Sequence, residues 1–435
     1  MLTFLGFAMV IAFMYLIMSK RLTALIALIL VPIIFALFGG FASQIGPMML
    51  AGITKLAPTG VMLMFAILYF ALMIDSGLFD PAVRKILKMV KGDPMRISVG
   101  TAVLALVVSL DGDGATTYMI CVAAMLPLYS RIGMSPRIMA GLIILAGGVM
   151  NMTPWGGPTA RAASALHVDA SDIFVPMIPA MLAGVIAILA IAYFYGKRER
   201  ARLGELHLQG DEVDHSEISV SQFPDARRPR LIWFNAALTL TLMVALIMGL
   251  LPLPVLFMIA FSIAMIINYP NLQDQKDRVS AHAGSVLAVV GLIFAAGIFT
   301  GILSGTGMVD AMSKSLLAVI PDALGPYLAV ITALVSMPFT FFMSNDAFYY
   351  GVLPVLSEAA AHYGISPVEM ARASIVGQPV HLLSPLVPST YLLVALAGIE
   401  FGDHQRFTLK WAILVCMCIL VAALLMGIFP FYSSM

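Results

Sequence analysis

Ser109-Leu110-Asp111-Gly112-Asp113-Gly114 interrupts a long apolar run, and Ser344-Asn345-Asp346 interrupts another in the second half of the chain. Acidic residues beside turn-forming glycine, serine and asparagine, set between apolar stretches, predict a reversal of the chain at a polar point inside a membrane. The recurrence extends outward from these two tips. Upstream, Gly77 and Asp80 match Gly307 and Asp310 at the same spacing. Downstream, Gly133-Met134-Ser135-Pro136 answers Gly364-Ile365-Ser366-Pro367, and Thr153-Pro154-Trp155-Gly156-Gly157-Pro158-Thr159 answers Ser384-Pro385-Leu386-Val387-Pro388-Ser389. Duplication around broken hydrophobic segments is a common plan of secondary transporters.

Composition agrees with an all-α polytopic membrane protein: 61% of the 435 residues are hydrophobic, 11% are charged and the mean hydropathy is +1.00. Those values exclude a soluble domain. Cys121, Cys416 and Cys418 lie in apolar stretches, without disulfide or zinc spacing. No basic patch with interleaved aromatics points to nucleic acid, so the partners expected are lipid and a small substrate. Residues 1–19 carry no basic residue ahead of the apolar run and read as a retained helix.

Charge-free stretches define the spans, because an ionised side chain facing lipid is costly. Residues 1–19, 22–54 and 56–74 predict three spans; 97–110 and 114–130 flank the first tip; 138–160 and 173–196 follow. The second half repeats this with 231–273, divided by Pro252 and Pro254, then 283–309, 323–345, 347–357, 373–399 and 411–435. The segment 97–110 reaches only about 21 Å as a helix, short of a hydrocarbon core of about 30 Å. A re-entrant hairpin is therefore expected at each tip, leaving about five crossings per half. An odd number of crossings inverts the second half relative to the first. The resulting units are an N-terminal repeat (1–196), a linker (197–230) and a C-terminal inverted repeat (231–435). With both termini outside and the linker cytoplasmic, 20 of the 24 basic residues fall in inner loops, as membrane insertion favours. The linker itself reads as a solvated connector.

Polar residues at the tips and breaks are the candidate ligands. From the first repeat these are Ser109, Gly112, Gly114, Thr116, Asn151, Thr153, Gly156, Thr159 and Arg161. From the second they are Ser344, Asn345, His381, Ser384, Ser389 and Thr390. Prolines in the breaks free carbonyls one turn earlier, and unwound backbone then offers amides and carbonyls beside these hydroxyls. Arg161 suits a carboxylate through two parallel hydrogen bonds. Asn151 and His381 occupy near-equivalent repeat positions as hydrogen-bond donors. Asp111, Asp113 and Asp346 are the candidates for proton coupling or metal contact.

The runs Leu56-Ala-Pro-Thr-Gly-Val-Met-Leu-Met-Phe-Ala-Ile-Leu-Tyr69, Ser109 to Gly114, Asn151-Met-Thr-Pro-Trp-Gly-Gly-Pro-Thr-Ala-Arg161 and Ser344-Asn-Asp346 carry a resemblance over essentially the whole chain. The sequence resembles the bacterial citrate and divalent metal:proton symporter family, within the ion transporter superfamily. Better-known dicarboxylate members carry Ser-Asn-Thr at both tips; here Ser344-Asn345 keeps part of that pattern and the first tip replaces it. The resemblance implies import of citrate as a complex with a divalent metal such as Mg, Ca or Zn, coupled to protons, across a bacterial inner membrane. The metal belongs to the cargo, and no resident cofactor is implied. Most superfamily relatives suggest a homodimer. Within transport, the alternative is a dicarboxylate or inorganic-anion carrier. An ion channel or intramembrane enzyme is the alternative from another class. Against the enzyme, Gly-x-Gly-Asp is absent around Asp113, no His-Glu-x-x-His occurs, and the twelfth residue from Asp111 is Val122, not a calcium-loop glutamate.

Overall fold

The computed structural model describes residues 1–90, 93–112, 114–203, 223–318 and 321–433. The first repeat runs α1 (Leu2–Met18), α2 (Ala24–Phe38), α3 (Ile45–Asp75), α4 (Asp80–Val90), α5 (Pro94–Val108), α6 (Gly114–Ile132), α7 (Pro136–Met150), α8 (Gly157–Leu166) and α9 (Ala170–Leu203). The second runs α10 (Ile232–Ile247), α11 (Leu253–Asn268), α12 (Leu272–Gly305), α13 (Met308–Leu317), α14 (Leu328–Phe342), α15 (Leu353–Ala361), α16 (Pro367–Ser374), α17 (Gln378–His381), α18 (Pro388–Ala397) and α19 (Phe401–Leu425). Among the described residues every regular element is helical, and seven helices are long and apolar enough to cross a membrane.

The two halves are inverted repeats, and their backbones share turn geometry as well as element order. Left-handed residues end equivalent helices: Lys20 and Gly249, Gly77 and Gly307, Gly133 and Gly364, His167 and Gly398. In each repeat α5–α6 or α14–α15 forms the hairpin, while α7–α8 or α16–α18 forms the proline-broken span. Gly148 and Pro379 stand five residues before Thr153 and Ser384, so they are equivalent. A Cβ on Gly148 would lie 2.5 Å from the Pro379 Cα, which places the crossing of the two broken spans on the pseudo-twofold axis.

The long helices α3 and α12 cross with their backbones touching. A Cβ on Gly52 would fall 1.9 Å from the Gly297 carbonyl oxygen, and one on Gly301 would fall 2.4 Å from the Met48 oxygen. Small residues permit such close approach where lipid supplies no hydrophobic drive between helices.

Two span boundaries and the linker differ from the charge-free reading. The break between the second and third spans lies at 39–44, and Lys55 sits inside α3, because an exposed lysine on a helix face can reach away from the apolar core. Helix α12 begins at Leu272 and carries Asp274, Lys276, Asp277 and Arg278 in its first turns. The linker is not simply solvated: its end is anchored, with Arg227 Nη2 2.6 Å from Asp80 Oδ2 and the Arg228 amide donating to the Ser76 carbonyl. Arg228 Nε also donates to the Asn268 carbonyl at 2.8 Å, and Tyr269 Oη to that of Ala226 at 2.7 Å. The middle of the linker lies outside the described residues.

Candidate functional site

The hairpin tips and the helix breaks converge on one cavity of about 340 Å³. Local sequence explains how each tip is made. Helix α5 starts at an Asp93 cap with Pro94 in its first turn, ends at Ser109, and reverses through Gly112 at φ 78°. At the second tip Met343 is extended, and Ser344 Oγ accepts from the Ala347 amide at 3.2 Å, starting a π-helical turn over Ala347–Val352. Trp155, in the first break, fastens the first tip by donating Nε1–H to the Leu110 carbonyl at 2.9 Å. Its ring packs 4.7 Å from Phe70 and 5.5 Å from Phe257.

Helix polarity gives the cavity both signs of partial charge. Its wall includes the first residues of three helices, Gly114 of α6, Gly157 and Pro158 of α8, and Pro388 and Ser389 of α18, with Asp346 directly ahead of the π turn. Helix N-termini present N–H groups to anions. Ser109, Asn151 and His381, also in the wall, lie at the C-terminal, partly negative ends of α5, α7 and α17, the polarity that suits a cation.

The charges in the described wall are a pair: Arg161 Nε donates to Asp346 Oδ1 at 2.6 Å. The side chains are 22% and 16% exposed, so the pair is shielded but reachable. It joins the two repeats. His381 is fixed by Nδ1, 2.7 Å from the Thr340 carbonyl. A carbonyl only accepts, so Nδ1 carries the hydrogen and Nε2 of the neutral ring is an acceptor. The donor role expected of His381 toward a substrate is thereby tied to the protonated ring, in which Nε2 also carries a hydrogen. Asn151 Nδ2 donates to Gln378 Oε1 at 3.3 Å, and Gln378 Nε2 donates to Tyr349 Oη at 3.0 Å. Ser109 Oγ, Thr117 Oγ1 and Asn345 Oδ1 are buried without a hydrogen-bond partner among the described residues. Orphaned polar atoms around a cavity call for a ligand that satisfies them.

Of the residues singled out from sequence, the cavity gathers Ser109, Gly112, Gly114, Asn151, Arg161, Ser344, Asn345, Asp346, His381 and Ser389. Thr116 instead lines a neighbouring cavity of about 680 Å³, which shares Gly112, Gly157 and Arg161. Thr159 and Thr390 are equivalent, fully buried, and outside the wall. They donate to the Met152 and Leu382 carbonyls at 3.0 and 2.5 Å, closing each break from within. Ser384 Oγ donates to the Phe341 carbonyl at 2.7 Å and accepts from the Leu386 amide. Thr153 is buried away from the wall, and Gly156 is where the backbone folds onto Asn151, whose oxygen would lie 2.0 Å from an added Cβ. Asp113 and the side chain of Asp111 lie outside the described residues. Sequence reasoning missed Thr117, which lines the cavity one turn past Gly114, and Gln378; a polar residue beside Pro379 inside a charge-free stretch was the available signal.

Comparison with known proteins follows the same lines. The family model described as Citrate transporter, CitMHS, matches residues 7–377. The chain is 62% identical to a citrate transporter of Bacillus subtilis (strain 168) over 431 residues, covering 99% of this chain and 100% of that one. It is 55% identical over 428 residues to a Mg(2+)/citrate complex secondary transporter of the same organism, covering 98% and 99%. Among solved structures, the Neisseria gonorrhoeae MtrF efflux pump is similar with a TM-score of 0.61 at 14% identity, over 89% of this chain and 84% of that one. The Alcanivorax borkumensis YdaH transporter is similar with a TM-score of 0.56 at 16% identity, over 89% and 88%. At such identities the structures speak for the fold alone.

Proposed function

The chain belongs to the citrate transporter family CitMHS, and on that premise we propose that it imports citrate as a complex with a divalent metal, coupled to protons. The observation that carries this reading is the Arg161–Asp346 pair in the wall of the cavity. Among the described residues of the wall, Arg161 is the one lysine or arginine. With Asp346 ionised the pair is neutral; with Asp346 protonated it offers a single positive charge. Free citrate, a trianion, would leave two charges uncompensated, and each such charge costs several kcal/mol to desolvate. A citrate complex with a divalent metal carries about one negative charge and matches the protonated site.

In this mechanism Asp346 occupies Arg161 in the empty site. A proton taken up by its carboxylate releases the guanidinium, which then holds a citrate carboxylate through paired N–H donors. Helix N-termini at Gly114, Gly157 and Ser389 receive further carboxylate oxygens, while Ser109, Asn345 and His381 Nε2 face hydroxyls or the metal side of the complex. Among the described residues no group of three or more His, Cys, Asp or Glu side chains could hold a metal ion. Binding and protonation favour each other, which is the linkage that symport requires. The relative named for a Mg(2+)/citrate complex supports the same cargo. Charge placement supports a cytoplasmic linker and external termini in a bacterial inner membrane. The roughly 680 Å³ cavity, running from Arg161 toward the linker-face end of α3, would then be the cytoplasmic exit.

Labelled citrate uptake into proteoliposomes tests this directly, with magnesium, calcium, zinc or a chelator outside and with or without an uncoupler. Uptake that needs metal and collapses with uncoupler is expected. Uptake undiminished by chelator would instead point to a free-anion carrier.

A further inference from the structure

We propose that His282, oriented by Asp75, is the group through which the coupling proton leaves the substrate cavity at the linker face; this rests on the proton-coupled reading above. Asp75 ends α3 and is only 2% exposed, yet it lies in no hairpin tip or helix break. His282 Nε2 is 2.7 Å from its Oδ2, and Arg278 Nη1 is 3.2 Å from the same oxygen. The repeat does not require this cluster: the position equivalent to Asp75, two residues before Gly307, is Gly305. Nor does neutralisation require the histidine, since Arg278 already balances the carboxylate.

Location supplies the function. Asp75 and His282 line the same cavity as Gly157 and Arg161, so one continuous space joins the cluster to the arginine of the substrate pair. Helices α3 and α12, which touch at Gly52 and Gly297, both line the cavity here. Phe223, from the linker, covers the cluster, with Arg278 4.5 Å over its ring and the His282 ring 6.0 Å away. The other charged groups around it are the Asp80–Arg227 pair and Arg228, which lies over Tyr269 and 3.7 Å from Asp274. Since a carboxylate accepts, His282 presents Nε2–H to Asp75 and keeps Nδ1 for exchange. Nδ1 takes a proton from the cavity and gives one up on the linker side, with the hydrogen-bonded Asp75 carboxylate stabilising the intervening imidazolium.

The test reads two rates from reconstituted wild type, His282→Gln and Asp75→Asn. One is accumulation of labelled magnesium citrate driven by a proton gradient; the other is counterflow of labelled against unlabelled magnesium citrate at equal pH. Both variants are expected to lose accumulation and keep counterflow, a separation that a merely structural staple would not produce. Variants that accumulate like wild type, or that lose both rates together, overturn the proposal. If only one variant folds, its two rates decide. A wild type whose accumulation ignores the gradient strikes down proton coupling itself, and the exchange group with it.

Discussion

Arg161 and Asp346 lie 185 residues apart and in different repeats, yet their 2.6 Å contact pairs the charges of the described wall. Arg161→Lys keeps the charge but not the planar fork. It is expected to weaken uptake by roughly 2 kcal/mol, about thirtyfold in apparent affinity, which a kinetic assay would read. Hydroxyls in the breaks have another role: Thr390→Val leaves the Leu382 carbonyl without its donor and should destabilise the protein by about 1–3 kcal/mol, measured by thermal unfolding in detergent. Sequence alone grouped Thr390 and Ser384 with Ser389 because all three are polar residues at a proline break. Which hydroxyl turns to the cavity and which to a carbonyl depends on the local backbone path, and no residue type records that. The Asp75–His282 pair was hidden for a related reason: its partners come from different repeats at positions that symmetry does not relate.

Helix ends and crossings carry the next level of specification. The cap Asp93 accepts from the Met95 amide at 3.0 Å and pairs with Arg200 of α9, tying the hairpin base to a neighbouring span. Burial alone would raise its pKa, but Arg200, the Met95 amide and Arg96 together outweigh it and hold the carboxyl below its ordinary value. A depressed carboxylate stabilises the fold above its unfolded pKa, and that contribution fades as pH falls through the folded value. Asp93→Asn should therefore be less stable than wild type at neutral pH, with the gap narrowing below about pH 4 in unfolding scans. At the α3–α12 crossing, Gly52→Ala should exceed the roughly 1–3 kcal/mol usual for overpacking, because the obstacle is the Gly297 backbone. Gly46→Ala, where nothing lies within 4 Å of the new Cβ, is the control in the same thermal assay. Hairpins and breaks were legible from polar and proline interruptions. The true edge of α3 was not, since Lys55 mimics a boundary while remaining inside the helix.

For the whole molecule, inverted repeats build a site of mixed polarity that neither half could supply, with the arginine from one repeat and its carboxylate from the other. The duplicated motifs in the sequence disclosed this architecture, whereas the pairing of unequal residues at equivalent breaks emerged only in three dimensions. The cavity shared by Arg161 and Ser285 predicts that Ser285→Cys reacts with a membrane-impermeant thiol reagent from the linker face and not from the opposite one, as labelling in oriented vesicles would show. The central claim is that a proton on Asp346 frees Arg161 for the substrate. Its most direct test is the affinity for magnesium citrate as a function of pH in wild type and Asp346→Asn. Wild-type affinity is expected to fall by about tenfold per pH unit once the competent protonated form becomes scarce, while the asparagine variant binds with little pH dependence. An unchanged pH dependence in Asp346→Asn would contradict the account.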